Sequence, residues 1–252
     1  MTQLHDVVYI LCSSPSTIVR FNATTHERLT DIDVKRLREP WDIVACEQTS
    51  QLYAADYEKC VWRVSADGAD IKLWWTKSST DKFTPFTLSV TSTRVLVTSY
   101  STNQFMQLDS QGNELRRVQL PDNMWPRHAV ESPTATFIVS HENTQLDQQQ
   151  ISEVNTDGQV LRQFTGSHLS SLRFTPHIAI DSRGNVFVAD NHNRRILLLD
   201  AQLKLRRVII DEHQLEYNPP QRLCYREPTG QLLVGLYDMK FKSVSVFDVL
   251  HP

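Results

Sequence analysis

Asp42, Asp56, His128, His141, His177 and Asp190 lie near the ends of short apolar runs in this chain. Imidazoles and carboxylates brought together can hold a divalent metal, which would activate water or polarise a substrate. These residues are scattered along the sequence, and no two share a ligand spacing. A metal-dependent hydrolase or lyase is therefore only the third reading, because a lone histidine is more often a bracing or surface residue. No glycine-rich phosphate loop, G-x-S-x-G elbow or H-E-x-x-H helix is present. A second set has the chemistry of recognition: Tyr57, Tyr100, Asn103, Trp125, Arg127, Asn191, Asn193, Arg194, Arg222 and Tyr237, with His128, His141 and His177 among them. Aromatic rings supply rigid contact area and arginines supply planar donors. The same kit stacks bases and neutralises phosphates of single-stranded nucleic acid. Asp190, Asn193 and Arg194 also have a purely structural reading. Asp accepts backbone N–H groups of its loop, and Arg reaches a neighbouring element.

These residues need elements to position them, and the stretch "PHIAIDSRGNVFVADNHNRRILLLDAQLKLRRVI" (Pro176 to Ile210) spells those elements out. It reads as strand a (HIAI), a turn (DSRG), strand b (NVFVA), a loop (DNHNR), strand c (RILLLD) and strand d (LRRVI). Partners of this unit recur at a spacing of about 45 residues, a propeller period. They are "VVYILCSSPSTIVRFN", "LYAADYEKCVWRVSADG", "VLVTSYSTNQFMQLDSQG", "FIVSHENTQLDQQQISEVNTDG" and "LLVGLYDMKFKSVSVFD". Turn markers fall in step at Asp67-Gly68, Gln111-Gly112 and Asp157-Gly158, with a non-glycine counterpart near Gln202. Five copies open on a proline: Pro40, Pro85, Pro126, Pro176 and Pro220. Proline suits a strand start because it fixes φ and lacks a ladder donor.

The fold expected is all-β, a six-bladed β-propeller of four-stranded blades. The blades fall at about 1–37, 38–81, 82–122, 123–172, 173–215 and 216–252. "TQL" supplies a short first strand, and the sixth copy stops after its third strand, so its outer strand is expected either to come from residues upstream of Met1 or to be absent. That predicts about 23 strands. Ile18, Trp62, Phe105, Ile151, Ile196 and Val244 are expected at one buried position of strand c. The b–c and d–a loops share one face, the top, which carries the recognition set. The segments Glu142–Gln150 and Asp238–Lys242 are expected to protrude there. The other face carries Glu47, Asp67, Asp70, Glu131, Asp157, Asp181 and Glu227.

The net charge of −3 and 22% charged residues give no basic excess of the kind that draws polyanions. Top acids Asp56, Glu58, Glu142, Asp190 and Asp238 dilute any basic field further. No apolar run of spanning length occurs, and the first residues do not read as a signal peptide. Cys12, Cys46, Cys60 and Cys224 form no CxxC pair and read as small buried hydrophobes. Asn22-Ala23-Thr24 is a glycosylation sequon, a pattern common by chance.

The stretch "PHIAIDSRGNVFVADNHNRRILLLD" resembles the NHL repeat almost throughout, and "YAADYEKCVWRV" resembles it in part. The other copies depart from the pattern; Ser99 and Asn103 stand where the best copy has Asp190 and Arg194. The resemblance implies a six-bladed propeller like those at the C-terminus of tripartite-motif proteins, which bind RNA or protein. Related propellers include an amidating lyase and metal-dependent lactonases, but the lactonase glutamate has no identifiable counterpart here. The expectation is a non-catalytic binding or scaffold module, with no cofactor, that recognises a protein partner through its top face. Single-stranded RNA is the alternative ligand. A cytoplasmic monomer is expected, with no membrane contact, as an isolated domain or a piece of a longer protein.

Overall fold

The structure is a computed structural model describing residues 1–13, 16–56, 60–91, 93–164, 176–236 and 243–249. Among them there are 23 strands and no helix. The strands are β1 (Thr2–Leu4), β2 (Val7–Ser13), β3 (Ser16–Asn22) and β4 (Arg28–Asp33); β5 (Pro40–Cys46), β6 (Gln51–Asp56), β7 (Cys60–Ser65) and β8 (Ile71–Thr76); β9 (Pro85–Val90), β10 (Val95–Ser99), β11 (Gln104–Leu108) and β12 (Glu114–Gln119); β13 (Met124–Glu131), β14 (Phe137–Asn143), β15 (Gln148–Val154) and β16 (Val160–Phe164); β17 (Ile178–Ile180), β18 (Val186–Asp190), β19 (Arg195–Leu199) and β20 (Leu205–Ile210); and β21 (Pro220–Arg226), β22 (Gln231–Leu236) and β23 (Ser243–Asp248). Each sheet is a meander of consecutive strands. Five sheets have four strands and the last has three among the described residues. This is the six-bladed β-propeller fold. The chain divides into two compact units, Met1–Val118 with the first three blades and Gln119–Pro252 with the last three.

Cohesion within each unit lies between neighbouring blades. In the first unit one apolar cluster joins Leu4, Tyr9 and Ile18 to Ile43, Leu52 and Val64. A second joins Tyr53, Ala55 and Val61 to Leu88, Val97 and Met106. In the second unit Ile138 and Ile151 pack with Val186, Val188 and Leu197. Phe187, Ile196 and Leu198 pack with Leu223, Leu232 and Val234. Strand b is buried along its length, as in β10 and β18, because it has packed sheet on both faces.

Four of the six expected strand-c core residues, Ile18, Phe105, Ile151 and Ile196, are fully buried at 0% exposure. Trp62 and Val244 are only half-buried. The Trp62 expectation was one residue out of register. Asp56 pairs directly with Cys60, whereas its counterpart Asp190 pairs with Arg195, so the second-blade loop is one residue shorter. Val61, also 0% exposed, is the true counterpart of Ile196. A one-residue slip sends a side chain to the opposite face of the sheet. Val244 is in register, but among the described residues no fourth strand covers β23. The loop between β14 and β15 is also shorter than expected, since pairing continues to Asn143 opposite Gln148. The 238–242 loop lies outside the described residues.

The c–d turns repeat one chemistry. Asp109 Oδ1 accepts the N–H groups of Gln111 and Asn113. Asn155 Oδ1 accepts those of Asp157 and Gln159, and Asp200 Oδ1 those of Gln202 and Lys204. The fourth position of each turn is left-handed: Gly112 at φ 88°, Gly158 at 80°, and in the fifth blade Leu203 at 58°. Leu203 bears that conformation while its side chain is buried in the core.

Candidate recognition site

Strand a begins with a local device that recurs from blade to blade. The register shifts between Pro40 and Asp42 in β5, near Pro85 in β9, between Pro126 and His128 in β13, and between Pro220 and Arg222 in β21. The residue after each proline is thus in a β-bulge, which re-aims its side chain. These residues are Trp41, Phe86, Arg127 and Gln221. The next position carries Asp42, Thr87, His128 and Arg222, and His177 takes it in the fifth blade.

That polar position has a structural task. Strand a pairs with strand b on one side only, so N–H groups on its other edge need acceptors. In the first unit Leu88 N–H donates to Asp42 Oδ2 at 2.9 Å. The second unit repeats the bond twice: Ile178 N–H donates to His128 Nδ1 at 3.4 Å, and Leu223 N–H to His177 Nδ1 at 3.3 Å. A neutral imidazole that accepts at Nδ1 carries its proton on Nε2. The two rings stack at 3.8 Å, and both are buried. Burial, reinforced by His128 and Arg222, holds His177 well below the usual imidazole pKa. The Nδ1 lone pairs of both rings thus serve backbone N–H groups.

His141 is buried too, with Nε2 2.9 Å from Ser152 Oγ. Burial lowers its pKa to about 4. Both side chains are about 1% exposed, so this pair has no access to a substrate. Asp190 braces its own loop. It accepts from Asn193 Nδ2 at 2.8 and 3.0 Å and from Arg195 Nε at 2.8 Å. The arginine in that ion pair is Arg195; Arg194 is exposed at φ 49°. Asn191 is buried and donates from Nδ2 to Pro220 O. Arg127 is half-buried and ion-paired with Glu142. Arg222 is half-buried and donates to Gln221 O. Trp125 is 37% exposed and sits opposite Glu142 in β13. Asn103 is half-buried in the turn before β11. Tyr57 and Tyr237 lie outside the described residues.

In the first unit the bulged residues build something different. Trp41 and Phe86 meet Tyr100 of the b–c loop in a three-ring cluster. The ring centroids lie 5.1 Å (Trp41–Phe86), 5.8 Å (Trp41–Tyr100) and 5.3 Å (Phe86–Tyr100) apart. Such separations are favourable for aromatic pairs. Trp41 remains 36% and Tyr100 48% exposed. The loop beneath is ordered: Tyr100 N–H donates to Thr84 O, and Ser99 Oγ accepts the N–H groups of Ser101 and Thr102. Ser101 Oγ donates to Lys82 O. These bonds position the backbone that carries Tyr100 beside the other two rings. Sequence reasoning found Tyr100 and missed Trp41 and Phe86. The available signal was an aromatic residue directly after the strand-a proline in two consecutive blades.

No family model matches this chain, and no curated protein matches it. Solved structures do. A Bacteroides caccae protein of unknown function is similar over 96% of this chain and 90% of its own, at 14% identity and a TM-score of 0.71. A chain of a nidogen–laminin complex is similar over 83% and 77%, at 14% identity and 0.65. Virginiamycin B lyase from Staphylococcus aureus is similar over 84% and 71%, at 15% identity and 0.58. At these identities the likeness is one of fold.

Proposed function

We propose that this chain is a non-catalytic, NHL-type propeller module that binds a protein partner through its top face. The observation that carries the reading is the exposed cluster of Trp41, Phe86 and Tyr100. Interface energy concentrates in a few rigid aromatic anchors. A propeller in a nidogen–laminin complex and a propeller lyase share the fold, so the fold alone favours neither binding nor catalysis. The local chemistry favours binding. The buried His128 and His177 serve backbone N–H groups, and the arginines Arg127 and Arg195 are already paired with carboxylates. Paired arginines have little left for phosphates, which weakens the RNA reading.

The test compares the wild-type chain with a Trp41→Ala/Tyr100→Ala double variant. Proteins captured by the wild type should be lost by the variant, with affinity falling by about 30-fold or more for any purified partner. A random single-stranded RNA pool should bind weakly and indifferently to the change. Tight, salt-dependent RNA binding that fails in an Arg194→Ala variant would move the assignment to RNA. Stoichiometric metal in the purified protein, lost in His177→Ala, would move it to an enzyme.

A further inference from the structure

The second unit sets three nitrogen-bearing side chains at equivalent places in successive blades: His128, His177 and Arg222. Small residues stand across strand b from each. Ser140 pairs with His128, Ala189 donates its N–H to His177 O, and Gly235 pairs with Arg222. A Cβ at position 235 would lie 3.3 Å from the Cβ of Arg222, tighter than side chains normally pack. Glycine there gives the arginine stem its room.

His177 is the informative member. It is 7% exposed, and its Nδ1 accepts Leu223 N–H. The neutral ring therefore carries its proton on Nε2. That N–H meets no protein acceptor among the described residues. Polar groups of buried side chains are rarely left idle in native proteins, so an acceptor is owed to this one. Burial is the main cause of its depressed pKa, and the charges that add to it, His128 and Arg222 among them, all act as positive ones. Surroundings that refuse a proton in this way favour a negative charge. Arg222, half-buried, supplies a cation that does not titrate.

We infer that His177 Nε2–H and the Arg222 guanidinium bind a carboxylate. One oxygen accepts from the imidazole and the other faces the guanidinium, whose planar fork suits a carboxylate. His128 is a positioning residue: its ring stacks on His177 at 3.8 Å and holds it in place. The carboxylate belongs either to a small organic acid or to the C-terminus of a polypeptide. The recognising chemistry is the same, and the experiment separates the two. All of these residues lie in the second unit, and none belongs to the aromatic cluster. The inference therefore does not depend on the reading of that cluster.

The experiment titrates the whole chain, labelled with nitrogen-15, with sodium acetate. Sodium chloride at equal ionic strength is the reference, and NMR follows the ring nitrogens of His177 and the backbone amide of Gly235. Saturable movement with a dissociation constant on the order of 1–10 mM is expected, with Nε2 remaining the protonated nitrogen. Arg222→Gln should weaken binding at least about tenfold, and Arg222→Lys should recover part of the loss. His177→Gln keeps an amide donor and should still bind, whereas His177→Phe should not, read at Gly235. If His177→Phe does not fold, the two Arg222 variants carry the test. A short peptide with a free C-terminus is then compared with its amidated twin. Binding tighter than acetate and abolished by amidation supports the site and assigns it to a polypeptide end. Peptide binding no tighter than acetate supports the site and assigns it to a small acid. No saturable movement beyond the chloride reference up to about 0.1 M acetate would overturn the inference. So would a response indifferent to Arg222→Gln, or replacement of the Nε2 proton by stoichiometric zinc or manganese.

Discussion

At the scale of single residues, buried polar groups explain more than they first suggest. His141 is held neutral because burial strips its water, and its pKa falls to about 4. In the unfolded chain it titrates near the ordinary value of about 6.5. Between those values the unfolded state binds a proton that the native state refuses. Stability therefore falls as pH drops from about 6.5 to about 4 and levels off below, losing about 3 kcal/mol through this group. His177, also depressed, adds in the same direction. Urea melts at pH 7 and pH 4.5 measure the slope, and His141→Gln should flatten part of it. Gly112 is a second residue-scale case. A Cβ there would sit 2.6 Å from the Trp74 carbonyl oxygen at φ 88°, so Gly112→Ala should cost about 1–3 kcal/mol in the same assay. Histidines were legible in the sequence as candidates for chemistry, but their employment by backbone N–H groups was not. That bond joins residues 46 or 50 positions apart, which only the packed blades bring together.

At the scale of the element, strand order and strand type were readable because the repeat announces itself in period, proline and turn markers. Register was less readable where a loop length changed. The second-blade loop is one residue short, so Val61 took the core place expected of Trp62. Trp62 instead donates its indole N–H to Asp56 Oδ2. The correction has a measurable form. Ile196→Ala, at a position with 0% exposure, should cost about 2–5 kcal/mol by denaturant unfolding. A cost below about half a kcal/mol would contradict the register of β19. The bulge after the strand-a proline was likewise invisible. Alternation alone cannot say which residue is extruded, so Trp41 and Phe86 read as ordinary strand residues.

At the scale of the whole chain, six copies were recognisable, although only the fifth is close to a consensus. What survives in the degenerate copies is apolar patterning and turn chemistry, the parts that folding requires. The face chemistry diverged: bulge positions hold Trp41 and Phe86 in one unit, Arg127 and Gln221 in the other. Each apolar cluster spans two neighbouring blades, so the second and fifth blades, each part of two clusters, would expose half an interface on each side if alone. A fragment of residues 176–211, the best single copy, should therefore be unfolded in isolation, with no cooperative melt and no protected amides.

The unit that the sequence repeats is thus not the unit that stability rests on. Repetition is counted in blades; cohesion is counted in the seams between them. Phe187 and Ile196 pack with Leu223 and Val234 in the next copy as well as with Ile210 of their own outer strand. A blade gained or lost by duplication or deletion would have to satisfy two seams at once. Compensating changes should accordingly appear as pairs about one repeat apart, between strands b and c of one copy and strands a and b of the following one.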